Sequence, residues 1–135
     1  MNYIAITLFF TLIFLATIHI YWAHGGLWPG ENYQDLVDKV FGRGSKFPSP
    51  ISCYLASLAL LLTSLVPLAV AGYGPQIINA LPLGPLMIFL GSIFGIRATL
   101  GYLPVIEKRW NPKFIKLNRK IYNPLCLVVM IFFLL

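Results

Sequence analysis

Apolar residues come along the chain in four long runs, separated by short stretches where proline, glycine and charge return. Residues 3–23 contain no charge, and residues 49–72 open at Pro48-Ser49-Pro50. Residues 82–103 are framed by Pro82 and Pro104, and residues 116–135 close the sequence. A hydrocarbon core of about 30 Å is crossed by about 20 helical residues, so each run is a candidate span. Counted from Pro124 alone, the last run would have 12 residues and fall short. It is therefore predicted to start upstream and to bend at Pro124.

A shorter amphipathic period lies between the first two runs. Tyr33, Leu36, Val37, Val40 and Phe41 recur at helical spacing, with Gln34, Asp35, Asp38 and Lys39 between them. Asn32 can cap this segment and Gly42 can end it. The pattern predicts a small helix over residues 33–41, lying in the membrane interface with its apolar face down, or docking on a partner. The expected fold is an all-α membrane protein: a four-transmembrane-helix bundle in one domain over residues 1–135, with a short interfacial helix between helices 1 and 2.

Composition agrees with this reading. Of 135 residues, 59% are hydrophobic and 10% charged, whereas a soluble domain carries about 25% charge. The net charge of +6 would suggest nucleic acid in a soluble protein. Here nine of the ten basic residues fall in or beside loops 24–48 and 104–118, and loop 73–81 has none. By the positive-inside rule those two basic loops are cytoplasmic and both termini lie outside, with no role for nucleic acid. The expected location is the bacterial cytoplasmic (inner) membrane. The first run lacks a basic n-region and a small-residue cleavage site, and its removal would spoil the charge asymmetry, so it is retained as a helix.

Within the spans, polar side chains converge on the cytoplasmic half. His19 lies roughly 6 Å and Arg97 roughly 9 Å from that face, at 1.5 Å per residue. Asn118, Tyr122 and Cys126 recur every four residues and predict one stripe entering from the same side. No acidic residue lies in any span; the four are Glu31, Asp35, Asp38 and Glu107. Arg97 either snorkels to the headgroups or turns inward, where it needs a neutral partner such as Asn118 or Tyr122, or an anionic ligand. His19 is either a neutral imidazole bonded to a neighbouring helix, or a base, haem ligand or ligand-binding group.

His19 and His24 are five apart, about 140° around a helix, and make no two-histidine metal face. One chain therefore offers no bis-histidine haem site, and no metal or cofactor is expected. Cys53 and Cys126 stand far apart without a CxxC, which disfavours a thiol-redox enzyme; Cys126 reads as a small packing residue. Trp22, Trp28 and Trp110, with Tyr21, Tyr33, Tyr54 and Tyr102, form an aromatic belt. Gly91 and Gly95 make a GxxxG that serves packing inside the bundle or dimerisation.

The stretches IHIYWAHGG (residues 18–26) and KLNRKIYNPLCLVVM (residues 116–130) resemble the small bacterial four-span proteins grouped as domain of unknown function 3995. Family members look like HxYWAxGG at the end of the first helix, here His19, Tyr21, Trp22, Ala23, Gly25 and Gly26. They carry an Asn and then Tyr-x-Pro-Leu-Cys entering the last, here Asn118, Tyr122, Pro124, Leu125 and Cys126. The resemblance implies four spans and gives weight to the two blocks, without supplying an activity.

Three functions follow. The first is a pocket in the cytoplasmic half that binds or acts on a hydrophobic small molecule such as a lipid, isoprenoid or quinone. Its residues would be His19 (the candidate acid–base group), Trp22, Arg97, Asn118 and Tyr122. The second is an accessory subunit joined to a membrane-protein partner, or a homo-oligomer, through the glycine face and basic loops. The third, a small transporter, is weakest, because no span carries an acidic residue for ion coupling.

Overall fold

The computed structural model describes residues 2–134, with the side chain of Asn2 outside the description. The described residues are helices and turns without a strand. Helix α1 is Asn2–Ala23; α2 is Tyr33–Leu36, prolonged by a π turn at Val37–Phe41; α3 is Pro50–Val70. A 3₁₀ turn at Gln76–Ala80 leads to α4, Leu83–Tyr102. Then come α5 (Pro104–Glu107), α6 (Pro112–Leu117), a π segment at Asn118–Tyr122, and α7 (Asn123–Leu134).

Four stretches are long and apolar enough to cross a membrane: Tyr3–Ala23, Pro50–Val70, Leu83–Tyr102 and Pro112–Leu134. The chain is thus built as a four-span, multi-pass membrane protein. The last span starts earlier than the expected residue 116, because Asn111 caps it: its Oδ1 accepts from the Lys113 amide at 2.9 Å. The final residue of the predicted span, 135, lies outside the described residues.

α1 packs along α3, and α4 packs along the last span. α1 is apolar all round, yet only one stripe is covered. Leu8 and Leu12 are 1% and 0% exposed, whereas Phe10 and Phe14 are 64% and 59% exposed. Large apolar side chains pointing outward on every span require a lipid surround.

Between helices the residues are small, as expected where packing rather than water exclusion drives association. Gly91 faces Phe133 and Gly95 faces Met130, while Phe94 stacks on Phe133 at 6.0 Å. The GxxxG stripe is therefore occupied by the chain's own last helix. Ser57 donates to the Ala16 carbonyl at 3.0 Å and ties α3 to α1. In the half away from the basic loops, Thr7, Thr63 and Ser92 donate to carbonyls four residues back on their own helices, which satisfies them in place.

At the basic end, α2 forms where the amphipathic period places it, capped by Asn32, whose Oδ1 accepts from the Asp35 amide at 2.9 Å. Gly42 ends it in the left-handed conformation, φ 86°. Leu36 and Val37 are buried and Gly42 lies against Phe114, so the helix closes onto α6 of its own chain. Asp35, read from the sequence as one of the polar positions around the apolar stripe, is instead buried at 8% exposure. It meets Lys113 at 2.8 Å and Lys39 at 2.9 Å, and accepts from the Glu31 amide at 2.9 Å. The Lys113 contact above all, then Lys39, holds this carboxyl well below the usual carboxylate range.

Because the folded state lowers the Asp35 pKa, the stability it contributes is complete above the ordinary value of about 4. It is lost as pH falls from there toward the folded value. Detergent-solubilised wild-type protein should lose melting temperature as pH is lowered below 4. Asp35→Asn should start lower at pH 7 and show a shallower decline over the same range. Parallel pH profiles of the two proteins would refute the role given to Asp35.

Candidate functional site

The polar layer is organised by Arg97, on α4 one turn before Gly101. Its Nη1 donates to Asn123 Oδ1 at 2.7 Å and its Nη2 to Asn118 Oδ1 at 2.8 Å. Asn118 Nδ2 in turn donates to the Gly101 carbonyl at 3.2 Å. Both asparagines are 0% exposed. The arginine thus turns inward onto neutral amides, and no carboxylate lies within ion-pair reach of it among the described residues.

The π segment explains how two residues five apart reach one guanidinium. On a regular α-helix Asn118 and Asn123 would diverge by about 140°. Here the Asn123 amide donates to the Asn118 carbonyl, a bond spanning five residues, and the wider turn brings the pair onto one face. Pro124 gives a local reason for the wider turn. It cannot donate an amide, and its ring crowds the carbonyl four residues back, so the helix relaxes just before it. The interruption predicted at Pro124 thus takes the form of a π turn.

The expected stripe of Asn118, Tyr122 and Cys126 is broken by that turn. Tyr122 leaves the Arg97 face and donates to the Lys39 carbonyl at 2.9 Å, which fastens the π turn of α2 to the last span. Asn123, which the four-residue period passes over, takes its place. The sequence did carry a signal for it: an asparagine directly before a proline inside an apolar run. Gly101 makes the arrangement possible, since a Cβ there would overlap the Asn123 amide. Asn123 Nδ2 has no acceptor among the described residues.

His19 stands apart from this cluster. Its Nδ1 donates to the Leu15 carbonyl at 2.6 Å, on its own helix, and its ring meets the Trp22 edge at 5.2 Å. A carbonyl partner requires the proton on Nδ1, and no hydrogen bond among the described residues engages Nε2. Trp22 donates from Nε1 to the Trp28 carbonyl at 2.8 Å, and the Tyr21 hydroxyl accepts from the Trp28 amide at 3.1 Å. His24 and the Tyr54 hydroxyl meet at 2.9 Å. The aromatic residues after His19 therefore clip the loop back onto the ends of α1 and α3.

His19 and Arg97 line separate recesses. His19 and Trp22 border one of about 320 Å³ with Phe47, Pro48 and Cys53. Arg97 borders one of about 390 Å³ with Arg43, Arg109, Trp110 and Phe114. Val40 and Phe41, on the π turn of α2, line both and form the ridge between them. A cavity of about 560 Å³ is at the opposite end, among apolar residues such as Ile4, Leu8, Pro67, Met87 and Phe132. The convergence expected in one polar layer is thus resolved into two neighbouring recesses.

The nearby acids are engaged elsewhere. Glu107 is held by Arg119 through both carboxylate oxygens, at 2.6 and 2.5 Å, and this fork keeps its carboxyl below the ordinary range. Asp38 Oδ1 accepts from the Gln34 side-chain Nε2 at 2.9 Å. Among the described residues no three of His, Cys, Asp and Glu gather as a metal site. Cys53 and Cys126 are free thiols.

Asn118→Leu removes one of the two Arg97 acceptors and the bond to Gly101. It should destabilise the bundle by about 1.5–3 kcal/mol, the usual effect of losing a charged hydrogen bond. Gly101→Ala should destabilise by about 1–3 kcal/mol through overpacking against Asn123. Denaturant titration followed by circular dichroism checks both, and wild-type midpoints would contradict the network.

Over residues 12–133 the sequence matches the family described as Protein of unknown function (DUF3995). No curated protein and no solved structure matches. The match covers nearly the whole chain, including the His19–Gly26 clip and the Asn118–Cys126 turn, and the chain belongs to the DUF3995 family.

Proposed function

We propose that this protein binds a hydrophobic small molecule with a polar head, such as a lipid, isoprenoid or quinone, at the basic end of the bundle. The observation that carries this reading is Arg97. A guanidinium inside an apolar span, anchored by two buried amides and lining a recess with aromatic walls, is a group held in position for something polar. In this reading Arg97 is the ligand contact, and Asn118 and Asn123 position it. Tyr122 acts through the Lys39 carbonyl by holding the ridge in place. His19 and Trp22 serve the adjoining recess, where the free Nε2 is the candidate acid–base or hydrogen-bonding atom.

We further propose the bacterial inner membrane as the location, with loops 24–48 and 104–118 cytoplasmic, from the basic-residue asymmetry. The alternative, an accessory subunit, loses the glycine stripe as a docking face because Phe133 and Met130 already cover it. The basic loops remain available to a partner under that alternative.

Native mass spectrometry of gently extracted protein should show a copurified amphiphile that is lost in Arg97→Ala. Ile106→Trp, which fills the same recess and leaves the Arg97 network intact, should lose it as well. A wild-type protein that carries no such molecule, and whose melting is unmoved by added lipids and quinones, would remove the proposal. For orientation, an impermeant thiol reagent on intact cells should label Asn79→Cys and leave Ser45→Cys unmodified; the reverse pattern would invert the topology.

A further inference from the structure

We infer that the Arg97 recess is specific for a phosphate monoester headgroup carried by a membrane amphiphile; this rests on the amphiphile-binding reading above and names its ligand class. Three arginines from separate parts of the chain line this one recess: Arg43 after α2, Arg97 on α4 and Arg109 after α5. No carboxylate among the described residues lies within ion-pair reach of any of them. Glu107, two residues from Arg109, is turned to Arg119 instead. Three like charges around a recess of about 390 Å³ give it a positive field that favours an anion.

The chemistry of the donors selects among anions. A guanidinium offers five N–H groups in a planar fork suited to phosphate oxygens, and Arg97 keeps donors beyond the two given to asparagine. A phosphate monoester carries about −1.5 to −2 charge and three acceptor oxygens, closer to what three arginines offer than a carboxylate. The remaining wall is apolar and aromatic. Arg43 lies over the Phe41 ring at 5.4 Å, and Trp110 meets Phe114 edge-on at 4.7 Å. Leu103 and Val105, close in sequence to the lining residue Ile106, are exposed at 43% and 70%. Such walls suit a headgroup with a hydrocarbon tail better than a free ion.

The test uses full-length protein in zwitterionic nanodiscs, with binding followed by tryptophan fluorescence, since Trp110 lines the recess. The probes are dioctanoyl phosphatidic acid, dioctanoyl phosphatidylcholine, dioctanoylglycerol and inorganic phosphate. Phosphatidic acid should bind at least tenfold more tightly than the other three. The double variant Arg43→Gln/Arg109→Gln, which leaves Arg97 and its asparagines in place, should lose at least tenfold. Lys46→Gln/Lys108→Gln, which removes two charges outside the recess, should bind as wild type does. Equal loss in both double variants would reduce the effect to general charge attraction and overturn the assignment. Inorganic phosphate binding as tightly as phosphatidic acid would overturn the amphiphile part. Diacylglycerol or phosphatidylcholine binding equally well, unaffected by the arginine variants, would overturn the phosphate assignment and leave the broader reading standing. Failure of all three amphiphiles would overturn the phosphate assignment, and the copurification test above then decides the broader reading.

Discussion

A permanently charged arginine inside an apolar helix is the constraint on which the basic end of this bundle depends. Arg97 cannot shed its proton and no acid is within reach, so its donors must meet neutral acceptors on a neighbouring span. Asn118 and Asn123 supply them, and to do so the last span widens into a π turn. That turn needs Gly101 opposite, since a side chain there would meet the Asn123 amide. One charge thus sets the helix geometry on one span and the residue size on another.

The same turn sends Tyr122 out of the Arg97 face and onto the Lys39 carbonyl. The small helix between the first two spans is therefore fixed from two sides. Tyr122 holds its π turn, while Asp35 bonds to Lys113 near the start of the last span. Its residues Val40 and Phe41 then divide the basic end into two recesses of different character. One is bordered by a histidine, a tryptophan and a thiol; the other collects three arginines. Polar groups that stand level in depth are separated by a ridge from a loop helix. That these groups gather at one end of the bundle was readable from the sequence, whereas their position around it was not.

Asn118 was legible as one candidate partner of Arg97, beside Tyr122, an anionic ligand or the headgroups, because an inward arginine without an acid needs another acceptor. Asn123 was not, because the argument extended a four-residue period through a segment that follows a five-residue bond. The proline at 124 signalled an interruption but not its form, since a kink, a bend or a wider turn can each accommodate a missing donor. Asp35 was placed off the apolar stripe by periodicity. Its burial came from Lys113, 78 residues away along the chain. The aromatic residues after His19 were read as interfacial anchors, and their hydrogen bonds to Trp28 and Tyr54 give them a second role in clipping the loop.

The sequence by itself determined the number of spans, their limits to within a few residues, the short amphipathic helix and the concentration of charge at one end. Each follows from run length, periodicity and composition, which are properties of the chain in one dimension. Only the tertiary structure decided which faces turn inward. A helix that is apolar all round, as α1 is, carries no pattern that distinguishes its lipid side from its packed side. What broke that symmetry was the fit of small residues against large ones, Gly91 against Phe133 and Gly95 against Met130, and the demand of one arginine for two amides.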